Sequence, residues 1–178
     1  MPQTSVPTAP FAAIAGQVAD TGQALNIASY SNQEAVNQVQ FGAMVMQGTL
    51  DNGANLVTAG NVLKLVGVCV YDASYQKGNE LGAVVDANGK LGILPNITFN
   101  AMKRGRIWVL CEEAVTPASP VRVRCTNAGN GQGTFRTTSA GVGLSMLLGG
   151  ARYLDTAVPG GFSRFEFDIL LRNTFTAD

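Results

Sequence analysis

Short runs of apolar residues, separated by turn residues, divide most of the chain and predict β-strands. Asn61 to Tyr71 is almost continuously apolar and rich in valine, which favours a buried strand. Val121 to Cys125 and Arg164 to Ile169 alternate apolar and polar residues, as strands with one face in water do. About eight to ten short strands in this order predict an all-β domain, a jelly-roll-like β-sandwich or barrel.

Turn residues between the apolar runs predict where strands reverse direction. An Asn88-Gly89 pair lies between the runs Ala83 to Val85 and Lys90 to Leu94. Asn-Gly in this position is typical of a hairpin because both residues accept a left-handed backbone. Lys103 to Arg106 separates two further apolar runs, which predicts a second turn with exposed basic side chains.

Two segments leave alternatives open. Gly141 to Gly150 is apolar and flanked by glycine, and it fits either one turn of helix or another strand. Ser31 to Glu34 has the spacing of a helix capping box. No helical stripe of apolar residues follows it, so the all-β prediction stands.

The first residues differ from the rest of the chain because they have little to bury. Pro2, Pro7 and Pro10 lie among threonine, serine and alanine, and proline disfavours helix. We therefore predict an extended N-terminal arm over residues 1–15 and a single β domain over residues 16–178. A chain of 178 residues buries about 70% of the surface that its unfolded form exposes, so one core is expected.

Charged residues are few and unevenly distributed. They make up 13% of the chain, against about 25% in soluble domains. A largely neutral surface is better explained if partners cover much of it. Residues 1–63 hold three acidic and no basic residues, whereas residues 64–178 hold 12 basic and 9 acidic ones. This asymmetry is either chance or a weak bias towards head-to-tail association or docking on a larger assembly.

The chain contains no histidine, which excludes Ser-His-Asp and Cys-His catalysis and histidine-based metal sites within one chain. Cys69, Cys111 and Cys125 lie in strand-like runs without metal-ligand spacing and are predicted to be small buried residues. The carboxylates are scattered, and we interpret them as solvated strand ends. Glu112 and Glu113, being adjacent, should not share one strand face. We predict no enzyme activity, no catalytic residues, no cofactor and no metal.

Basic residues could form one patch near Trp108, from Lys103 to Arg106 and from Arg122 and Arg124 a strand away. A nucleic-acid-binding domain is normally basic, whereas this chain has a pI near 6.2. We therefore interpret the patch as a solvated turn or a protein interface and predict no direct nucleic-acid partner. The apolar stretch Phe11 to Ala15 is too short for a signal peptide or a membrane span, and no membrane association is expected.

Taken in order, short motifs along nearly the whole chain resemble those of the structural cement, or capsid decoration, proteins of tailed phages. The first is a "G-x-x-A-D" segment, and a Ser/Asn/Glu element leads from it into a Phe-Gly strand. A "V-G-V" strand and a Tyr-x-x-Gly turn follow, and the last motifs include Pro-Val-x-V-R and Gly-Ala-x-Tyr-Leu elements. The matching segments are Ala15 to Asp20, Ser29 to Glu34, Phe41 to Val45, Val66 to Val70, Tyr75 to Gly78, Met102 to Val109, Pro120 to Arg124 and Gly150 to Leu154.

This resemblance implies a non-enzymatic virion protein that is made in the host cytoplasm and binds the outer surface of an HK97-type capsid. It would bridge neighbouring major capsid proteins and stabilise the shell against the pressure of packaged DNA. Its partners would be the major capsid protein and itself, a homodimer being favoured over a homotrimer. The candidate contact residues are Val6, Phe11, Ile14, Val18, Asp20, Phe41, Lys103, Arg104 and Arg106.

Two other functions remain as alternatives. A carbohydrate- or receptor-binding β module of a virion tail or surface would usually show exposed aromatic residues and clustered Asp and Asn, and this chain has one tryptophan and no such cluster. A cupin-type enzyme on a jelly roll would need the histidines that the chain lacks.

Overall fold

The computed structural model describes residues 13–20, 25–35, 38–58, 64–73, 83–85, 91–126, 131–169 and 175–177. Within these residues the chain forms strands and turns and no α-helix, so the all-β prediction is confirmed. The strands are β1 (Val18–Asp20), β2 (Asn26–Asn32), β3 (Val39–Gln40), β4 (Met44–Gln47), β5 (Gly53–Leu56), β6 (Leu65–Cys69), β7 (Ala83–Val85), β8 (Leu91–Ile93), β9 (Thr98–Leu110), β10 (Arg122–Arg124), β11 (Phe135–Arg136), β12 (Ser145–Leu148), β13 (Arg152–Tyr153), β14 (Phe162–Asp168) and β15 (Phe175–Ala177).

The largest sheet closes into a barrel. Its strand order is β13-β14-β9-β2-β5-β4-β6, with β1 also paired to β9. Strand β6 pairs with β9 as well, so β9, β2, β5, β4 and β6 form a ring. Within this ring only β2 and β5 run parallel. The ring of five strands therefore has no open edge, and it agrees with the predicted β-sandwich or barrel.

Strand β9 corrects the predicted basic turn. Residues 103–106 do not reverse the chain, because they lie inside one strand of 13 residues that pairs with β14 through all seven residues of β14. Two features keep the charged run extended. Carboxylates on β1 and β14 pair with its arginines, and Gly105, at φ +136°, has no side chain to collide with Leu25 and Met102.

Two smaller sheets complete the fold. The order β11-β10-β12-β15 forms one, and β3-β8-β7 forms the other. Strands β7 and β8 pair antiparallel as the hairpin prediction required, while its Asn-Gly turn lies outside the described residues. The segment Gly141 to Gly150, for which the sequence allowed either one turn of helix or another strand, contains strand β12. Strand β15 was not anticipated from the sequence.

The capping-box spacing at Ser31 to Glu34 has a local explanation without a helix. Asn32 is the buried last residue of β2, and its side-chain carbonyl accepts the backbone N–H of Glu34 at 2.9 Å. Its side-chain amide donates to the backbone carbonyl of Ile93 at 2.9 Å. Short polar side chains form such turns and helix caps with the same bond, which is why the sequence pattern is ambiguous.

The buried apolar residues form two clusters. The larger one joins the second half of β9 and β14 to the sheet of β10, β11 and β12, and aromatic rings lie at its centre. Phe165 packs against Phe135 at 4.6 Å and against Phe167 at 5.0 Å between ring centroids. The second cluster joins barrel strands to β3 and β8, and it includes Tyr30, Phe41 and Ile93.

All three cysteines are buried and free, as predicted. Burial raises the pKa of the Cys69 thiol, and it raises that of Cys111 to about 12. Because the thiolate is the reactive form, these two side chains act as small apolar residues of the core.

Candidate interaction surface

The opening motif Gly16 to Asp20 is held against the barrel by backbone hydrogen bonds. The N–H of Gly16 donates to the carbonyl of Trp108 at 2.8 Å, and the carbonyl of Gly16 accepts the N–H of Tyr71 at 2.7 Å. The N–H of Trp108 donates to the carbonyl of Gln17 at 2.9 Å. These bonds tie the segment to β9 and to the residues after β6, so it is part of the domain.

The Phe-Gly motif crosses the opening segment at very close range. Gly16 and Gly42 both have positive φ, +82° and +75°, and a Cβ built on either would lie 2.8 Å from the backbone N of the other. The N–H of Gly42 also donates to the carbonyl of Cys69 at 2.8 Å. Only glycine fits such a crossing, because it tolerates positive φ and has no side chain. Two of the motifs that carry the family resemblance therefore form one contact, which we call the glycine crossing.

The outer face of β9 and β14 carries a chain of ion pairs. Arg106 lies between Asp20, at 3.0 Å from its Nη1, and Glu166, at 2.9 Å from its Nε. Glu166 also accepts from Arg152. Asp20, the last residue of the opening motif, thereby links the acidic first part of the chain to its basic second part. The side chain of Asp20, expected to contact a partner, is already paired within the chain.

The other predicted basic contacts are paired as well. Arg104 Nε lies 3.3 Å from a carboxylate oxygen of Asp168, and Lys103 Nζ lies 5.5 Å from the ring centroid of Tyr30. Arg124 belongs to a different sheet and binds Glu112. The structure thus corrects the predicted turn, because each of these cations lies on a strand and faces a carboxylate or an aromatic ring. The side chain of Arg104 is nevertheless 52% exposed, as predicted.

Sequence reasoning missed a buried ionic cluster around Glu112, whose side chain is only 5% exposed. Its carboxylate accepts two bonds of 2.6 Å from Arg124, and it lies 3.4 Å from Arg136. Thr134 also donates to it. The adjacent Glu113 pairs with the same Arg136 at 2.6 Å. Both carboxylates therefore meet at one cation, and the interpretation as solvated strand ends is wrong for this pair.

Glu113 makes the stability of the fold dependent on pH. Burial raises its pKa, but hydrogen bonds from Thr138 and Thr137 together outweigh burial and lower the pKa from 4.5 to about 2. A carboxylate with a lowered pKa stabilises the fold above its unfolded pKa and loses that contribution as the pH falls towards its folded pKa. We expect the urea midpoint to fall between pH 4.5 and about pH 2, and the variant E113Q to show a shallower fall over this window. Equal slopes for the two proteins would contradict this assignment.

An apolar cavity of about 320 Å³ opens beside the glycine crossing. Part of its wall is formed by residues 13–15, which directly precede the opening motif, and by the turn at 40–43. The remaining apolar wall comes from Tyr71, Leu91, Leu110 and Phe162. Phe41 packs edge-on against Tyr71, with ring centroids 5.3 Å apart. The cavity thus lies where the described chain begins.

Several large apolar side chains are exposed at turns. Leu50 is 66% exposed between β4 and β5, Val158 is 70% exposed between β13 and β14, and Val142 is 91% exposed before β12. The turn of Leu50 is braced by Gln33, whose side-chain oxygen accepts the N–H of Thr49 at 2.8 Å. Single exposed apolar residues are common on protein surfaces, so the placement of these turns in the fold decides whether they suit contact with another protein.

The remaining predicted contact residues differ in how far their side chains are buried. Ile14 is 41% exposed and lines the cavity. Val18 is partly buried against the larger core cluster, and Phe41 is buried in the second one. Val6 and Phe11 lie outside the described residues, as does nearly all of the predicted arm.

Among the described residues, no group of three or more Cys, Asp or Glu side chains is placed to hold a metal ion. The same part of the chain contains no helix long and apolar enough to cross a membrane.

The fold is one found in a phage capsid. A chain from the solved structure "The capsid of Myoviridae Phage XM1" superposes with a TM-score of 0.62, and the match covers 93% of this chain and 96% of that one. The two sequences are 12% identical, so this similarity concerns the fold alone. No curated protein matches the sequence.

A protein-family model matches nearly the whole sequence. The model of the family described as structural cement protein (E217 gp24/Pam3 gp6) matches residues 2–168. The chain therefore belongs to the structural cement protein family, and the resemblance found in its motifs is confirmed. It is a structural protein of the phage virion capsid and associates with capsid proteins.

Proposed function

We propose that this protein binds the outer surface of an HK97-type capsid, bridges neighbouring major capsid proteins and stabilises the shell against the pressure of packaged DNA. Membership of the structural cement family favours this function over a carbohydrate- or receptor-binding module. The finer part of the proposal is that one molecule bridges two neighbours. It rests on two exposed apolar turns, which lie beyond opposite ends of strand β9.

The turns of Leu50 and Val158 lie beyond opposite ends of β9. Ser31, which pairs with Thr98 at the start of β9, donates its N–H to the carbonyl of Asn52 in the Leu50 turn. At the other end, the N–H of Gly160 donates to the carbonyl of Cys111. A strand of 13 residues spans at most about 40 Å, and two apolar turns beyond its opposite ends suit contacts with two different neighbours.

Contacts of this kind would rely little on charge. The ion pairs along β9 and β14 join charges within the chain, which leaves apolar turns and backbone groups to contact the shell. Each such contact is modest, but many copies on a symmetric lattice raise the overall avidity. This agrees with the low content of charged residues.

Binding to purified capsids that lack the protein tests the proposal. We expect Leu50→Asp and Val158→Asp each to weaken binding by at least about tenfold, because a charge at the centre of an apolar contact costs more than about 1.4 kcal/mol. Asn52→Asp and Thr156→Asp add the same charge in the same two turns without removing an apolar side chain, and we expect them to bind nearly as the wild type does.

Two further results would bear on this function. If both apolar variants bind as tightly as their controls, the turns are not the contacts and the bridging proposal fails. A variant lacking residues 2–12 tests the arm, with weaker binding expected; the deletion stops before the glycine crossing so that the domain can still fold. The homodimer stays a prediction, which light scattering of the free protein can check.

A further inference from the structure

The cavity beside the glycine crossing has a volume of about 320 Å³ and a mostly apolar wall of described residues. Its wall combines the opening segment with residues of separate sheets, including Leu91 of β8 and Phe162 of β14. An apolar cavity of about 150 Å³ in another protein accommodates benzene. A space of about 320 Å³ can therefore hold a benzyl side chain.

The start of the described chain lies at this cavity. Ala13 is itself a wall residue, and Phe11 precedes it by two positions. Two residues of extended chain span at most about 7 Å, so the covalent chain limits the distance between the Cα atoms of Phe11 and Ala13 to that value. Phe11 is also the only aromatic residue before Tyr30.

We propose that the side chain of Phe11 occupies this cavity in its own chain. A side chain tethered two residues away has an effective concentration well above that of a separate molecule, so it fills the cavity before a partner can. Burying a phenylalanine ring removes about 150–250 Å² of surface from water, which is enough to hold the segment in place. The arm would then leave the domain from a fixed point, with ten residues of the given chain beyond it.

This inference goes beyond the proposed function, because it concerns the free protein and its test needs no capsid. The three native cysteines are buried, so an introduced pair can be monitored against them. We expect F11C combined with L91C, or with F162C, to form an intramolecular disulfide under mild oxidation, seen as a faster band on a non-reducing gel and a loss of two reactive thiols. A disulfide requires Cβ atoms about 4 Å apart, so it reports whether position 11 lies at the wall of the cavity.

The control pairs F11C with V158C, because Val158 is exposed and is not a wall residue. We expect no disulfide there. A disulfide-linked dimer from the wall pairs would overturn the proposal and assign the cavity to a second copy. Absence of any disulfide in both wall pairs, with F11C reacting freely with a maleimide, would overturn it as well.

A second measurement avoids introduced thiols. We expect F11A to raise the fluorescence of a bound hydrophobic dye severalfold in the folded protein, because the emptied cavity admits the dye. F11L should raise it much less, and V6A should leave it near the wild-type value. Equal dye fluorescence in F11A and V6A would contradict occupancy by Phe11.

Discussion

Replacing Gly16 by alanine is expected to lower the free energy of unfolding by about 3 kcal/mol. Part of this loss is the cost of placing a Cβ on a residue with φ +82°, about 1–2 kcal/mol. The rest is steric, because the new Cβ would lie 2.8 Å from the carbonyl oxygen of Cys69 and from two backbone nitrogens, and forcing extra volume into a packed site costs about 1–3 kcal/mol. Urea denaturation followed by circular dichroism measures the loss.

Gly160 provides the matched control for this prediction. Its φ is +77°, close to that of Gly16, but a Cβ there would meet no atom within 4 Å. Gly160→Ala should therefore cost only the conformational part, about 1–2 kcal/mol. If G16A and G160A cost the same, the close crossing contributes nothing. G42A should resemble G16A, and the double variant should cost less than the sum because the two residues contact each other.

The glycine crossing also explains what the family motifs contribute. The sequence shows the "G-x-x-A-D" and Phe-Gly segments only as separate pieces, about 25 residues apart. In the folded chain Gly16 and Gly42 meet, and Asp20 pairs with Arg106 of β9. The motifs therefore identify the family from sequence, whereas their physical role becomes visible only when the chain is folded.

Strands with one face in water could be predicted because burial alternates along them. Strands β10 and β14 show this pattern: Val123 is buried between Arg122 and Arg124, and Phe165 between Arg164 and Glu166, while these four charged residues are only partly buried. Strand β9 could not be predicted through residues 103–106, because a run of cations around a glycine also fits a turn. What decides between them is the carboxylates of Glu166 and Asp168, which are about 60 residues away in sequence and next to β9 in space.

The same limit applies to the candidate interaction surface. The sequence suggested Ile14 and the cations of β9, but it did not single out Leu50 and Val158, because an apolar residue in a turn is recognised as exposed only when its surroundings are known. The low charge content predicted only that partners would cover much of the surface. Which turns lie at opposite ends of the molecule follows from strand pairing, which no local pattern contains.

Replacing Glu112 by glutamine is expected to lower the free energy of unfolding by about 3 kcal/mol. The change keeps the size of the side chain but removes the charge that Arg124 and Arg136 face in a nearly buried site. Removing one partner of a buried ion pair typically costs about 3–5 kcal/mol because the remaining charge is left without compensation. The shift of the urea midpoint at neutral pH, with an unchanged slope, measures the effect.

Asp155→Asn supplies the comparison, because Asp155 pairs with Arg164 through bonds of similar length at a site where Arg164 is 43% exposed. Water screens that pair, so its loss should cost less than about 1 kcal/mol. Similar costs for the two variants would show that burial does not set the strength of the Glu112 cluster. Replacing Arg124 by methionine in the E112Q background should restore part of the loss, because it removes the charge that E112Q leaves unpaired.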